Sequence, residues 1–347
     1  MKKLLLVLLG VVGVFALVGC GSKDSGEKIY VYNWGEYIDE SLLDEFTKET
    51  GIKVIYDTFP SNEDMYVKIK QSSDNIDVTV PSDYMIERMI EEDMIQKIDF
   101  SKIPNFEGVN EGLKNPDFDP TGEFSIPYFW GTTGIIYNAK NITDTIDSWA
   151  DLWDEEYSGK IVMYNSQRDS IAIALKMLGY SMNSKDSQEL EEAKQALIAQ
   201  KPLVLAYQAD EGRDTIVAEE GDIGVMYSGD ALFMIQENPN LKYVYPKEGS
   251  NLWFDSMVIP NSAQNVEGAH KFIDFMLRPE NAAKNAEFTV GYATPVDAAR
   301  ELLPEELKNS EVAYPTQETI DKSEVYRNPK DLISLYDEIW TAVQTAQ

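Results

Sequence analysis

The strongest constraint on this chain is an alternation of short β-rich runs and helical stripes over residues 29–98. Ile29 to Tyr32 is a β-rich run that opens onto Asn33, Trp34, Gly35, Glu36 and Tyr37. A helical pattern follows through Leu42, Leu43 and Phe46 and stops at Thr50 and Gly51. Ile52 to Tyr56 is the next strand. Ser61 to Asp64 forms an N-terminal cap signal ahead of Met65, Val67 and Ile69. Ile76 to Val80 is a third strand, ending at Pro81 and Ser82, and Met85, Ile86, Met89 and Ile90 mark another helix. Strand and helix alternating at this spacing predict an α/β fold with a largely parallel sheet. In open sheets of this kind, ligands sit beyond the carboxyl ends of the strands. The loops that start at Trp34 and Ser82 are therefore the first places to look for a site.

A second block starts at Gly131. Gly134 to Tyr137, Ile161 to Tyr164, Leu203 to Ala206, Ile223 to Tyr227 and Leu252 to Ile259 read as strands. Ile171 to Leu178 and Ala269 to Leu277 read as helices, the second stopped by Arg278 and Pro279. From Ala298 onward the chain is mainly helical. At 347 residues, about two domains are expected.

Composition removes several functions. The single Cys rules out an internal disulfide framework and a Cys-rich zinc site. The single His, His270, rules out paired-His zinc motifs and argues against a His-centred catalytic site. A net charge of −30 opposes nucleic-acid binding, which needs a basic face. Most of the 60 acids are expected on solvated faces, where they favour solubility.

The N-terminus reads as an export signal. Lys2 and Lys3 precede an uncharged apolar run from Leu4 to Val18, too short for a comfortable membrane span of ~20 residues. It ends in Leu17, Val18, Gly19 and Cys20, which resembles a bacterial lipobox. Cleavage before Cys20 would remove both lysines and take the charge from −30 to −32. The expectation is a signal over 1–19, lipidation at Cys20, a polar tether over 20–28, and a protein held at the extracytoplasmic face of a bacterial membrane.

The body of the chain resembles the bacterial spermidine/putrescine-binding proteins. The resemblance rests on collinear pieces: Tyr32 to Tyr37, Phe46 to Val54, Val80 to Tyr84, Met94 to Asp99, Ser125 to Gly131, Ser148 to Trp153, Tyr245 to Gly249, Trp253 to Ser256 and Leu277 to Glu280. Each piece is weak alone, but the ordered set from about residue 29 to 300 is specific. It implies a two-lobed α/β periplasmic-binding-protein fold (type II), with mixed sheets, flanking helices and a hinge. Lobe 1 would comprise 29–130 plus 256–300, and lobe 2 131–255 plus 301–347. It also implies a monomer without cofactor or metal that hands a polyamine to an ABC permease.

A polyamine is a row of ammonium charges on methylene stems. Its site needs carboxylates for the charges and aromatic walls for the stems. Each aromatic face adds roughly 0.5–2 kcal/mol, and buried ammonium groups must be paired. One ion pair offers ~4 kcal/mol of Coulomb attraction at ~4 Å and an effective dielectric near 20. Trp253 and Asp255 are two apart in a strand, so both can face one side while Phe254 faces the other. The resemblance makes Asp255 the leading ammonium ligand. It also points to Trp34, Glu36 and Tyr37 after the first strand, and to Tyr227 and Tyr292 as aromatic contacts. Ser82 and Tyr84 follow the third strand, where Ser82 could equally cap a helix. Asp169 and Asp230 stand before predicted helices and could be caps; the resemblance implies acidic ligand groups there. Three positions depart from the family pattern: Gly35 where Thr or Ser is common, Ser166 where relatives specific for the longer polyamine carry an acid, and Tyr227 where Trp is frequent.

Other motifs fail on their own terms. Asp117 to Gly122 begins like a calcium loop, but its twelfth position is Tyr128 instead of Glu. No phosphate-binding GxxxxGK[ST] loop and no GxSxG elbow occurs. Two other readings stay open: the same fold binding ferric iron or an anion, and a carboxylate-pair hydrolase using Glu36 and Asp255. Iron-binding relatives present adjacent tyrosines, and this chain has no Tyr-Tyr pair.

Overall fold

The computed structural model describes residues 26–71 and 75–346. The expected signal, Cys20 and most of the tether lie outside the described residues. The first strand, β1 (Lys28–Trp34), pairs in parallel with β2 (Lys53–Phe59) and β3 (Val78–Thr79), in the order β2-β1-β3. Its β-branched residues Ile29 and Val31 face the core and are buried. Helices α1 (Ser41–Thr50), α2 (Asn62–Gln71) and α3 (Asp83–Glu91) connect and cover this sheet. On α1 the buried pair Leu42 and Phe46 shares one face at i, i+4 spacing. Gly51 stops the helix in the left-handed region, φ 74°, and donates its N–H to the Thr47 carbonyl.

The strand β4 (Ile126–Asn138) is continuous across residue 131 and longer than the four-residue strand expected there. Its 13 residues span about 40 Å. Residues 126–132 pair with β9 (Leu252–Met257), while residues 133–138 pair with β7 (Ile223–Tyr227) and β8 (Leu241–Val244). The six-stranded sheet is completed by β5 (Ile161–Tyr164) and β6 (Val204–Gln208), in the order β6-β5-β7-β4-β8 with β9 on β4. Isolated bridges from Thr79 to Val258 and from Ser82 to Asp255 tie the β9 segment to the first sheet.

The helices of this half are α4 (Gln167–Met177), α5 (Ser187–Gln200), α6 (Glu211–Val217) and α7 (Ser228–Glu237). After β9 come α8 (Val266–Met276), α9 (Pro279–Phe288), α10 (Asp297–Leu302), α11 (Glu305–Lys308), α12 (Gln317–Lys322) and α13 (Ile333–Thr345). Two starts differ from the sequence reading. Helix α4 begins four residues before Ile171, and α7 begins two residues before Asp230, which the sequence reading sets ahead of that helix. The apolar stripe marks where a helix meets the core, not where its polar first turn starts.

Two main cores lie along the crossing strand. One gathers Ile29, Phe46, Phe129, Trp253, Phe254 and Phe272, and extends to Leu303, Leu307 and Tyr314. The other holds Ile135, Ile136, Trp149, Ile161, Val225 and Met226. Beside the second, α13 contributes Tyr336, Ile339 and Val343 to a cluster with Ile171, Leu175 and Leu197. Residues 323–330 run back between the halves. Lys176 pairs with Glu324 at 2.6 Å, and the Arg327 guanidinium donates to both oxygens of Glu87 on α3, at 2.7 and 3.0 Å.

Candidate functional site

A cleft of about 790 Å³ opens between the two cores. All the expected site residues except Glu36 line it. Trp34 ends β1, Ser82 and Tyr84 flank the start of α3, and Trp253 and Asp255 project from β9. Phe254 turns the other way, onto Phe118 of the first core at 5.9 Å, as strand alternation requires.

Asp255 is 7% exposed and is held by hydroxyls. Ser82 Oγ donates to its Oδ1 at 2.6 Å, and the Tyr37 hydroxyl donates to Oδ2 at 2.7 Å. Burial raises the Asp255 carboxyl to about 6, against the opposing effect of the two hydroxyls. Ser82 occupies the cap position of α3, yet its side chain makes no cap bond. Its hydroxyl is committed to Asp255 instead of to the first turn of α3.

Across the cleft, Asp169 and Asp230 sit inside the first turns of α4 and α7, so neither is an N-cap. Ser166 is the cap residue of α4, and its hydroxyl accepts the Asp169 N–H. The same Ser166 Oγ donates to Asp169 Oδ2 at 2.6 Å. The Tyr227 hydroxyl donates to that oxygen at 3.0 Å, and the Tyr326 hydroxyl donates to Oδ1 at 3.2 Å. Asp169 is thus 5% exposed and surrounded by three hydroxyls. Asp230 accepts from the Tyr164 hydroxyl at 3.4 Å and pairs with Arg213 at 3.4 Å. Burial raises its carboxyl to about 6, with Arg213 pulling the other way.

Aromatic rings link these carboxylates. Tyr37 meets Tyr292 edge-on at 5.1 Å, Tyr292 meets Trp253 at 5.6 Å, and Trp253 meets Tyr227 at 6.0 Å. Tyr227 stacks on Tyr164 at 4.5 Å. Trp34 packs on Phe59 at 4.5 Å and donates its indole N–H to the Val80 carbonyl at 2.9 Å. Gly131 and Gly229 let this belt close up: a Cβ on Gly131 would lie 2.5 Å from Trp253, and one on Gly229 would lie 2.6 Å from Tyr292. Carboxylates alternating with ring faces can hold separated positive charges and the apolar stems between them. Among the described residues, no cluster of His, Cys, Asp and Glu could hold a metal ion. Asp119, from the failed calcium motif, accepts from the backbone of Phe124 and Ser125 and from the Ser125 hydroxyl, a structural use.

The family described as bacterial extracellular solute-binding protein matches residues 41–316. The chain belongs to that family. This solute-binding protein is 41% identical over 338 residues to the spermidine/putrescine-binding periplasmic protein of Salmonella typhimurium, covering 96% of this chain and 97% of the other. The structure of the spermidine/putrescine ABC transporter substrate-binding protein of Streptococcus pneumoniae superposes with a TM-score of 0.82 at 44% identity, covering 92% and 99% of the two chains. A lipoprotein of Treponema pallidum gives a TM-score of 0.84 at 26% identity, covering 91% and 99%. The fold is accordingly the α/β periplasmic-binding-protein fold with two sheets and flanking helices, as the family resemblance implies, and the protein is extracytoplasmic.

Two residue groups of the solute-binding protein depart from the sequence reading. Glu36 has φ 50°, is exposed, and reaches Arg213 at 3.3 Å from the rim of the cleft. The site also uses Tyr164, Arg213 and Tyr326, which the sequence reading does not name as site residues. Tyr164 ends β5, so the strand-end rule that selects Trp34 selects it too. Tyr326 lies in the C-terminal return, where no local pattern marks a cleft residue.

Proposed function

We propose that this protein captures a linear polyamine, putrescine or spermidine, in the cleft and delivers it to an ABC permease. The observation that carries the reading is the pair Asp255 and Asp169. Both are buried, both are held by neutral hydroxyls, and they approach from opposite cores across an aromatic belt. A buried carboxylate without a cation is costly alone, and an ammonium group supplies the missing charge. The names of the Salmonella and Streptococcus relatives support the same ligand class. An anion would meet carboxylates in this cleft, and the adjacent tyrosines that iron-binding relatives present do not occur in the sequence.

The ligand contacts in this reading are Trp34, Tyr37, Ser82, Tyr84, Asp169, Tyr227, Asp230, Trp253, Asp255 and Tyr292, with Glu36 at the rim. The two cores act as lobes that close on the amine, since each supplies one of the paired carboxylates. Following the packing of Trp253, Phe254, Leu303 and Tyr314, the first lobe includes β9 and runs to about residue 315. Cys20 is the proposed lipid anchor. The Treponema relative being a lipoprotein supports it, and failure of acyl chains to incorporate at Cys20 would refute it. The ligand reading is tested by calorimetry with putrescine, spermidine and spermine. At least one is expected to bind in the micromolar range or tighter; no heat from any of them with folded protein would refute the reading.

A further inference from the structure

Two arginines stand at the cleft: Arg168 lines it but gives its guanidinium to the Met182 carbonyl, the Tyr336 hydroxyl and Asn183 Oδ1, and Arg213 stands beside Asp230. Arg213, in the first turn of α6, reaches Asp230 Oδ1 through Nη1 at 3.4 Å and Glu36 Oε2 through Nη2 at 3.3 Å. The Asp230 side chain is 9% exposed and that of Arg213 25%, whereas that of Glu36 is 82% exposed. The partially buried contact is thus the one to Asp230. Among the described residues, neither Asp255 nor Asp169 has an ion-pair partner, only hydroxyl donors. A fourth buried carboxyl, Asp83, is turned onto the backbone N–H groups of Tyr84 and Phe254, at 2.7 and 3.2 Å. Glu63, Asp210 and Glu211 line the mouth but are exposed. Three buried carboxylates therefore face the ligand space without such backbone bonds, and one of them is already matched.

We infer that Arg213 determines specificity by filling the third cationic position of the cleft, so that the site favours amines with two ammonium groups over amines with three. The inference rests on the polyamine reading above and narrows it. Arginine suits this part because its guanidinium stays charged at any working pH. A third ammonium entering at Asp230 must share that carboxylate with a fixed like charge, or displace it at the expense of both Arg213 contacts. Two like charges a few ångströms apart repel strongly where water is scarce. The Glu36 contact suggests a competing role, a latch across the cleft mouth. A latch would change the affinity of every ligand by the same factor, so the ratio between two ligands separates the roles.

The test is calorimetry of putrescine and spermidine with the wild-type protein, Arg213→Gln, Arg213→Lys, and Arg213→Gln combined with Asp230→Asn. Wild type is expected to bind putrescine at least as tightly as spermidine. Arg213→Gln is expected to shift the affinity ratio toward spermidine by about tenfold or more. Arg213→Lys keeps the charge and should leave the ratio near wild type. The double variant removes the carboxylate that the third ammonium would use and should lose the gain. A ratio unmoved by Arg213→Gln, moved equally by Arg213→Lys, or already strongly in favour of spermidine in wild type would overturn the inference and leave the polyamine reading intact. Wild-type protein that binds neither amine would overturn the reading itself, and this inference with it.

Discussion

Acidification should weaken ligand binding well above the usual carboxylate range, and Asp255 sets where. Burial raises its carboxyl to about 6 in the unliganded cleft. An ammonium group needs the ionised form, so a proton competes with the ligand. The sign follows directly: affinity is full about one pH unit or more above 6 and falls as pH drops through 6. For a group titrating near 6, about one molecule in eleven is ionised at pH 5, which lowers putrescine affinity about tenfold relative to pH 7.5. Asp230 also titrates near 6 but is already paired with Arg213, so Asp255 gives the minimum effect. Calorimetry at pH 5 and 7.5, in two buffers of different ionisation enthalpy, measures both the affinity and the release of close to one proton on binding at pH 5. Asp255→Asn should weaken binding more than about tenfold at pH 7.5 and flatten the remaining pH dependence. Affinity that changes less than about twofold between pH 5 and 7.5, or an identical slope in Asp255→Asn, would refute the reasoning.

The same two carboxyls act oppositely on the empty protein. Their folded values lie above their unfolded ones, so their stabilising contribution is present below about 4 and is lost as pH rises through 6, on the order of 3 kcal/mol each. The rise in melting temperature caused by putrescine should therefore shrink between pH 7.5 and 5; a constant shift would contradict this. Gly131→Ala places a Cβ 2.5 Å from Trp253 and 2.6 Å from the Ser228 hydroxyl, so it should displace the indole and cost about tenfold or more in affinity. Unchanged binding would mean that Trp253 is not a ligand wall. Gly51→Ala, at φ 74°, should destabilise the fold by about 1 kcal/mol in denaturant melts while leaving the binding enthalpy unchanged. Glu87→Gln weakens the strap that Arg327 makes to α3 and should speed ligand release in stopped-flow displacement; an unaltered release rate would exclude this strap from the opening motion.

Much of this protein is legible along the chain. The alternation over residues 29–98 dictates a largely parallel α/β sheet, because strands and helices of that length must bury one face against each other, while the order β2-β1-β3 is a tertiary result. Strand alternation alone sends Trp253 and Asp255 to one face and Phe254 to the other. The lone His, lone Cys and acidic excess exclude whole classes of chemistry without any coordinates. What the chain order cannot express is which distant groups share one carboxylate. Asp255 meets Tyr37 from 218 positions away, and Asp169 meets Tyr326 across 157. Those meetings depend on β4 running through both cores and on the C-terminal return between them, and no local periodicity encodes either. The same holds for charge. Sequence counts 60 acids as one surplus, whereas burial decides that Asp255 and Asp169 are held by hydroxyls, that Asp230 is matched by Arg213, and that Glu36 faces solvent. The physical reason is that a carboxylate's effect depends on its dielectric surroundings and nearest charges, and both are fixed only when the chain has folded around it.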